Sequence, residues 1–306
     1  MTQNTASTFL ICPFTGRSLR YLTEAELVVV NKKINNNELF FYPGVQVQQP
    51  LKSALVTEHQ TYIYPVQDNI LYLKKETAIV TKNRTENYLK RVSEALIVSF
   101  EKEYGFNSEK EVEELQTSNC LPSLDSETIA QFKKQITKSG SVFLSVASNN
   151  VDDVHNMVFN TNYDEYYHAD FDLERLKAVK EDLKQGTKVV LCEPVALPFA
   201  EDAVDFMISF DLINEYEKDT QNQSAAEIKR VVSPKGSSVV LFNESLPLHA
   251  ERMLKKEEMI AKAKILVKPW KKASSAQIHF HPVSSPANSD VSNTIVGKTS
   301  LKRQLF

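Results

Sequence analysis

The sequence predicts an α/β protein in which a small β-rich unit precedes a doubly wound, mostly parallel sheet. Short β-rich runs separated by polar turns fill residues 8–75, and strand-like and helix-like segments alternate after Gly140. Alternation of this kind is typical of parallel strands joined by crossover helices. The 306 residues, 42% of them hydrophobic and 25% charged, are also enough for two globular units with a sizeable core.

The first unit, residues 1–80, is predicted to combine one helix with several strands. Thr23 to Glu26 reads TEAE, a capping box that opens a helix over LVVVNKKI, and NNN at 35–37 marks the loop that follows. Asp68-Asn69 is a tight-turn pair between two of the strands. The strands are expected over Ser53 to Thr57, Thr61 to Val66 and Ile70 to Leu73.

A helical linker is predicted over residues 81–140, packed on the main domain. Apolar residues at helical spacing predict a helix from Thr85 to Tyr104 that ends at Gly105. Two further helices are expected, one from the capping box Ser108 to Glu111 and one over Asp125 to Lys138. The apolar stripe of the first helix consists of Leu89, Val92, Leu96 and Phe100.

The main α/β domain is predicted over residues 141–250. One helix should start at Asp172, bury Leu173, Leu176, Val179 and Leu183, and end at Gly186. Another should start at the capping box Ser224 to Glu227 and stop at Pro234. The strands are expected over Ser141 to Ala147, around Tyr166 to Asp170, and over Lys188 to Cys192, Val204 to Ser209 and Ser237 to Phe242.

Residues 251–306 are predicted to form a basic helix up to about Val267 and a loose tail, with one possible strand at Gln277 to Phe280. Residues 254–306 carry ten basic against three acidic residues, whereas the preceding chain carries 26 against 36. This asymmetry indicates a solvated appendage or an anionic partner such as nucleic acid. The solvated appendage is favoured, because aromatic residues do not accompany the charge beyond Trp270.

Three scattered cysteines, the absence of a basic and apolar leader, and the absence of a long apolar run favour a cytoplasmic protein without a membrane segment. Glycine is also scarce, at 7 of 306 residues. Between Val142 and Val151, where a doubly wound domain places its glycine-rich nucleotide turn, the chain reads VFLSVASNNV. The roles of the glycines fall to Ala147, Asn149 and Val151, and Asn149 is the residue expected to tolerate a positive φ.

Two later stretches carry a family resemblance. Cys192 to Glu217 reads CEPVALPFAEDAVDFMISFDLINEYE, and Ala225 to Phe242 reads AAEIKRVVSPKGSSVVLF. They resemble the third-, fourth- and fifth-strand signatures of class I S-adenosylmethionine-dependent methyltransferases, over roughly residues 141–243. Asp205 matches the family's D-x-x-x-S pattern, and Pro234-Lys235-Gly236 matches its P-x-G turn. The resemblance implies S-adenosylmethionine as the cofactor.

In that family an acid ending the second strand binds the ribose, and an acid before an A-L-P-F turn contacts the adenine side. Asp170 and Glu193 hold these places. From the residues alone, Asp170 could equally start the helix beside Asp172, and Glu193 could be a plain loop carboxylate. The family's first strand reads V-L-D-x-G-x-G-x-G, so that Ser145 stands where the acid belongs and the glycines are replaced. The cofactor-binding positions implied by the resemblance are Ser145, Val146, Ala147, Asp170, Glu193, Pro194 and Phe210.

The N-terminal unit resembles the zinc-ribbon-like domain of the tRNA-methyltransferase activator family, through LICPFTGRSL and SALVTEHQTYIYPVQDNILYL. The family's four thiolate positions fall here on Cys12, Thr15, Thr57 and Gln60, and its turn glycine on Asn69. A single thiolate cannot hold a structural zinc ion. His59 and the pair His279 and His281 add too few ligands, so no metal is predicted.

Three hypotheses about function follow. The missing glycines favour a degenerate methyltransferase that serves as a non-catalytic binding or scaffold protein, with an unidentified protein or small-molecule partner. Asp170, Glu193 and Phe210 favour an active methyltransferase with an unusual cofactor turn, whose acceptor side would hold Asp211, Asn214 and Glu215. A third hypothesis is a different small ligand in the same crevice, walled by Tyr163, Tyr166 and Tyr167.

Overall fold

A computed structural model of the protein describes part of the chain. The described residues are 9–81, 92–106, 133, 136, 139–147, 154, 158, 160–210, 218–243 and 277–283; within these, side chains are not described for 210, 218–222, 240–243 and 277–283. The expected helices from Ser108 and over Asp125 to Lys138 lie outside these ranges, apart from isolated residues, as does the basic helix before Val267.

The described part of the N-terminal half contains six short strands and two helices. The strands are β1 (Leu19–Tyr21), β2 (Phe40–Phe41), β3 (Ser53–Thr57), β4 (Tyr62–Gln67), β5 (Ile70–Tyr72) and β6 (Ile79–Val80), and the helices are α1 (Glu24–Asn35) and α2 (Glu94–Tyr104).

The capping box of α1 is confirmed: the Thr23 side chain accepts from the backbone N–H of Glu26, and the Glu26 side chain accepts from the backbone N–H of Thr23. The tight turn between β4 and β5 is confirmed as well, with φ of 50° at Asp68 and 63° at Asn69. Both elements depend on contacts between near neighbours in the chain, which explains why they can be predicted from sequence.

Of the helix expected from Thr85, residues 85–91 with Leu89 lie outside the described residues. Helix α2 begins at Glu94 after the N-cap Ser93 and ends as predicted at Gly105, whose φ is 64°. Its buried face carries Phe100 and Tyr104, whereas Leu96 is exposed. The predicted stripe was therefore wrong at Leu96, because the buried face follows the contact with the sheet rather than an unbroken apolar spacing.

Among its described residues, the C-terminal half contains six strands and two helices. They are β7 (Ser139–Val146), β8 (Asn162–Asp170), α3 (Leu173–Val179), β9 (Lys188–Leu191), β10 (Val204–Phe210), α4 (Lys218–Val231), β11 (Val232–Asn243) and β12 (Gln277–Val283).

Two helix boundaries differ from the sequence prediction. The helix capped by Asp172 ends at Val179 rather than at Gly186, and Leu183 packs against the core from the following loop. The helix expected from Ser224 begins at Lys218, so Ser224 is an interior helical residue and the predicted capping box was wrong. A Ser-x-x-Glu pattern caps a helix only where the serine backbone is extended, and the letters alone do not specify that conformation.

All twelve strands form one sheet, whose main path runs β1-β3-β4-β5-β9-β8-β7-β10-β11-β12. The C-terminal strands pair in parallel in the order β9-β8-β7-β10-β11-β12, as in a doubly wound nucleotide-binding fold. The parallel sheet predicted from sequence is confirmed, and the possible strand near Gln277 is present as β12.

The N-terminal strands continue this sheet. Strand β5 pairs in parallel with β9 through Ile70 with Val189, Leu71 with Val190 and Tyr72 with Leu191. One buried apolar cluster joins residues of the first 80 positions, such as Leu10 and Tyr64, with Val190 and Phe199 of the C-terminal half. Burial of shared apolar surface and a shared ladder of hydrogen bonds hold the two halves together.

Candidate functional site

The strand order places a crevice at the carboxyl edge of the C-terminal sheet. Strands β7, β8 and β9 follow one another toward one side of the sheet, and β10, β11 and β12 toward the other side. The adjacent pair β7 and β10 is therefore the topological switch point, and open α/β sheets bind ligands just outside such a point. Ala147 follows β7, Asp170 ends β8, Glu193 follows β9 and Phe210 ends β10. The structure therefore brings the backbone of the predicted cofactor positions to one edge.

Ala147, which follows β7 directly, has a left-handed backbone conformation. Its φ is 51°, its side chain is buried, and its N–H donates to the carbonyl of Ala169 at 2.8 Å. A non-glycine residue in this region costs about 1–2 kcal/mol. The first turn after β7 thus keeps a glycine-like backbone without a glycine, while Asn149 and Val151 lie outside the described residues.

Ser145 occupies the acid's place in the family pattern and contacts a histidine. Its Oγ lies 3.1 Å from Nδ1 of His168, which faces it in the register of β7 and β8. Burial lowers the pKa of His168 to about 4, with a further contribution from Arg175, so the ring is neutral at pH 7. The Nε2 atom has no hydrogen-bond partner among the described residues. His168 was missed because a histidine inside a strand gives no signal of what stands opposite it.

Val146 contributes to the apolar core on the other face of β7. Its backbone lies at the crevice, while its side chain packs with the hydrophobic cluster shared by both halves of the sheet. Ser145 and Val146 face opposite sides, as neighbours in a strand must. Of the two, only Ser145 shares a face with His168.

Asp170 is 1% exposed and has two differently engaged carboxylate oxygens. Its Oδ1 accepts from the N–H of Asp172 at 2.9 Å and from Nη2 of Arg175 at 3.0 Å. Its Oδ2 is buried and has no hydrogen-bond partner among the described residues. Burial raises the pKa of Asp170 to about 6, although Arg175 opposes the shift. One oxygen therefore supports the start of α3, and the other remains available to a ligand donor.

Arg175 is fixed above the end of β8. Its guanidinium lies 4.4 Å from the centre of the Phe171 ring and forms ion pairs with Asp170 and Asp172. The N-cap role belongs to Asp172, whose Oδ1 accepts from the N–H groups of Glu174 and Arg175. Asp170 can therefore support the start of α3 through Oδ1 and still offer Oδ2 to a ribose hydroxyl, so the two roles that the sequence left open are compatible.

Glu193 is about one third exposed, and its Oε1 lies 3.8 Å from Nζ of Lys74. Burial raises the pKa of Glu193, while the Lys74 ammonium opposes that shift. Pro194 is buried beside it. A residue of the N-terminal half therefore contacts the edge predicted to bind the adenine side.

The turn at Leu197, Pro198 and Phe199 is held from two directions. Arg230 donates to the carbonyls of Leu197 and Phe199, both at 2.7 Å, and pairs with Glu227. On the other side, the N–H of Ile11 donates to the carbonyl of Pro198 at 3.0 Å. This family-like turn therefore anchors the N-terminal segment as well as α4.

Asp205 lies away from the carboxyl edge. It sits at the start of β10, where its Oδ2 accepts from the N–H groups of Ser141 and Val142 at 2.6 and 3.2 Å. This carboxylate ties together the amino ends of two central strands. The acceptor-side candidates Asp211, Asn214 and Glu215 lie outside the described residues, as does the side chain of Phe210.

The three tyrosines proposed as walls of one crevice do not face it together. Tyr163 and Tyr166 pack with Phe143 on one face of the sheet, whereas Tyr167 packs against Phe199 on the other. Adjacent residues of a strand point to opposite faces, so the rings of Tyr166 and Tyr167 pack in different apolar clusters, although both residues line one small cavity beside Ser145 and His168.

The four positions of the zinc-ribbon resemblance each contact another polar group of the protein. Oγ1 of Thr15 accepts from the N–H of Arg17 at 3.4 Å. Sγ of Cys12 lies 3.2 Å from the hydroxyl of Tyr64. Oγ1 of Thr57 accepts from the N–H groups of Thr61 and Tyr62, and Gln60 donates to Glu26. Within the described ranges, no group of three or more His, Cys, Asp or Glu residues could hold a metal ion. The side chains of His279 and His281 are not described.

The model of a family described as a methyltransferase domain matches residues 144–240, which is less than half of the chain. The match runs from β7 into β11, so this part of the chain is similar to a methyltransferase domain. No curated protein matches the chain significantly. Within the described part of the chain, no helix has the length and apolar character needed to cross a bilayer.

Several solved structures are similar to the chain. A putative S-adenosyl-L-methionine-dependent methyltransferase from Methanococcus maripaludis is 13% identical, over 46% of this chain and 64% of that chain, with a TM-score of 0.33. The complex between the Haloferax volcanii Trm112 methyltransferase activator and a putative methyltransferase gives 15% identity, coverages of 42% and 57%, and a TM-score of 0.34. The chain thus spans less than two thirds of these two relatives.

A protein from Xylella fastidiosa, solved by NMR in solution, is 28% identical. The alignment covers 25% of this chain and 86% of that chain, with a TM-score of 0.22.

Proposed function

We propose that the methyltransferase-type domain binds S-adenosylmethionine, with Asp170 as the residue that recognises the ribose. The observation that supports this is the buried Oδ2 of Asp170, which lacks a partner among the described residues at the ligand-binding edge of the sheet. A buried carboxylate oxygen without a hydrogen bond is costly, and a ligand hydroxyl would satisfy it. The adenosyl group carries two ribose hydroxyls that can donate.

The neighbouring residues fit this role. Arg175 holds the Asp170 carboxylate through Oδ1, so Oδ2 keeps a fixed position before any ligand arrives. Ala147 keeps the left-handed backbone expected where a ligand approaches the first turn. S-adenosylmethionine, when bound, supplies a sulfonium whose methyl group can pass to a nucleophile held in line.

Binding of the adenosyl ligand can be measured by calorimetry with S-adenosylhomocysteine on the full chain. A charge-assisted hydrogen bond contributes about 1.5–3 kcal/mol, so Asp170→Asn should weaken binding by about tenfold or more. Asp182→Asn removes an exposed carboxylate after α3 and should leave the affinity unchanged. Absence of saturable binding by the wild-type chain up to millimolar ligand would refute the proposal.

A non-catalytic binding or scaffold protein is the second candidate. It is favoured by Ser145, which replaces the acid of the family pattern and directs its hydroxyl to His168 rather than to the edge. The engagement of the Leu197 turn by both Ile11 and Arg230 supports a structural use of that segment too. Incorporation of labelled methyl groups from S-adenosylmethionine into the proteins, RNAs or small molecules of a lysate would argue against this candidate. Binding of the adenosyl ligand without such incorporation would support it.

A further inference from the structure

The parallel pairing of β5 with β9 brings a residue of the N-terminal half to the candidate ligand edge. Both strands run in the same direction, and the N–H of Leu73 continues the ladder by donating to the carbonyl of Leu191 at 2.7 Å. Residues after β5 therefore emerge beside residues after β9. Lys74 follows β5 as Glu193 follows β9.

Lys74 is buried, with a side-chain exposure of 9%. Its Nζ lies 3.5 Å from Oε1 of Glu103, 3.8 Å from Oε1 of Glu193, and 5.6 Å from the centre of the Tyr104 ring. An ammonium group is expensive to bury unless opposite charges surround it. These contacts join three parts of the molecule: the loop after β5, helix α2 and the loop after β9.

The surroundings of Glu193 make Lys74 its main counter-charge. The negative charges of Glu76 and Glu103 raise the pKa of Glu193. The positive charges of Lys74 and Lys75 lower it, and Lys74 has the larger effect. The hydroxyl of Tyr104 donates to Glu76 at 2.6 Å, so the Glu76 carboxylate is held against the end of α2. Without Lys74, three carboxylates would lie close together with little compensation, and the Glu193 side chain would turn away into solvent.

Asp170 ends β8, and Glu193 follows the neighbouring strand β9. The N–H of Cys192 donates to the carbonyl of Asp170 at 2.9 Å, so Glu193 lies one residue past a direct backbone link to the candidate ribose-binding acid. A nucleoside held at Oδ2 of Asp170 and extending along the sheet edge would place its base over the end of β9. A carboxylate there can accept from an exocyclic amine of the base.

We propose that the ligand site is shared by both halves of the sheet, and that Lys74 is a positioning residue that holds Glu193 for the base of the adenosyl ligand. This inference depends on the adenosyl binding proposed above. It assigns the N-terminal half a direct part in ligand recognition. The surplus of carboxylates also predicts a preference for an uncharged nucleoside end over a phosphorylated one.

The test measures S-adenosylhomocysteine binding by calorimetry for Lys74→Met, Lys74→Arg and the control Lys52→Met. Lys52 is exposed, so Lys52→Met makes the same change in side chain and charge without removing a buried ion pair. Lys74→Met should weaken binding about tenfold. Lys74→Arg, which keeps the positive charge, should recover most of the loss, and Lys52→Met should bind as the wild type does.

Each outcome decides one point. If the wild-type chain binds and Lys74→Met binds equally well, the role of Lys74 is refuted while adenosyl binding stands. If the wild-type chain does not bind, both proposals fall. If Lys74→Met does not fold, Glu193→Gln decides, because it removes the other charge from a partly exposed position: a loss of about tenfold supports the inference, and unchanged affinity refutes it.

Discussion

The stability of the protein between pH 4.5 and 6.5 should depend on two buried groups that act in opposite directions. His168 and Asp170 lie two residues apart on β8, and burial lowers the pKa of His168 from 6.5 to about 4 while it raises the pKa of Asp170 from 3.8 to about 6. As pH falls below 6.5, His168 is protonated in the unfolded chain but stays neutral in the folded protein, so the free energy of unfolding decreases. Over the same range Asp170 is protonated in the folded protein but stays ionised in the unfolded chain, so its contribution to the free energy of unfolding increases.

The two effects are similar in size. Each pKa unit corresponds to about 1.4 kcal/mol, and the shifts cited give about 2 kcal/mol for each group between pH 6.5 and 4.5. In the wild-type chain they largely offset each other. Asp170→Asn should therefore lose about 2 kcal/mol more than the wild type on acidification over this range, and His168→Gln about 2 kcal/mol less.

The free energy of unfolding can be measured by urea titration at both pH values for the wild type and the two variants. Asp182→Asn serves as the control and should follow the wild type, because its carboxylate is exposed. Comparing the change in stability with pH, rather than the stability at one pH, removes the constant cost that Asp170→Asn incurs by taking the negative charge away from Arg175. If the two variants deviate from the wild type in the same direction, the opposite shifts assigned to His168 and Asp170 are wrong.

Two further substitutions test the local structure around the site by urea unfolding. Ala147→Gly should raise the free energy of unfolding by up to about 1 kcal/mol, because relief of the left-handed backbone exceeds the entropy cost of glycine; a clear loss would contradict the φ of 51°. Arg230→Met should lower it by about 3 kcal/mol, since two charge-assisted hydrogen bonds are lost and the carbonyl of Leu197 keeps only the N–H of Phe199 as a donor, whereas the exposed Lys235→Met should have little effect. Stability of Arg230→Met close to that of Lys235→Met would show that the turn is held by other contacts.

Two local sequence patterns led to wrong predictions about helices. The Ser224 to Glu227 pattern resembles a capping box but lies inside α4, and Leu96 continues a helical apolar spacing yet is exposed. In the first case the pattern fits more than one helical position, and in the second the helix forms but the contact with the sheet decides which face is buried. The candidate site was predicted only in part for the same reason: Asp170 and Glu193 could be placed at strand ends, but their partners could not be identified.

The sequence by itself determined the elements whose interactions stay within a few residues. The capping box at Thr23, the turn at Asp68 and Asn69, and the alternation of strands and helices after Gly140 all follow from short-range hydrogen bonds, backbone preferences and apolar periodicity. The same alternation predicted a mostly parallel sheet, whereas the order of its strands came from the tertiary structure.

Only the tertiary structure decided which side chains meet at the carboxyl edge. The pairing of β5 with β9, the contact of Lys74 with Glu193, and the contact of Ser145 with His168 join residues far apart in the chain. Such contacts depend on strand register and on burial, which change both the neighbours of a titratable group and its preferred charge. A sequence pattern contains the groups but does not fix their distances, so the partners of Asp170 and Glu193 became visible only in the folded chain.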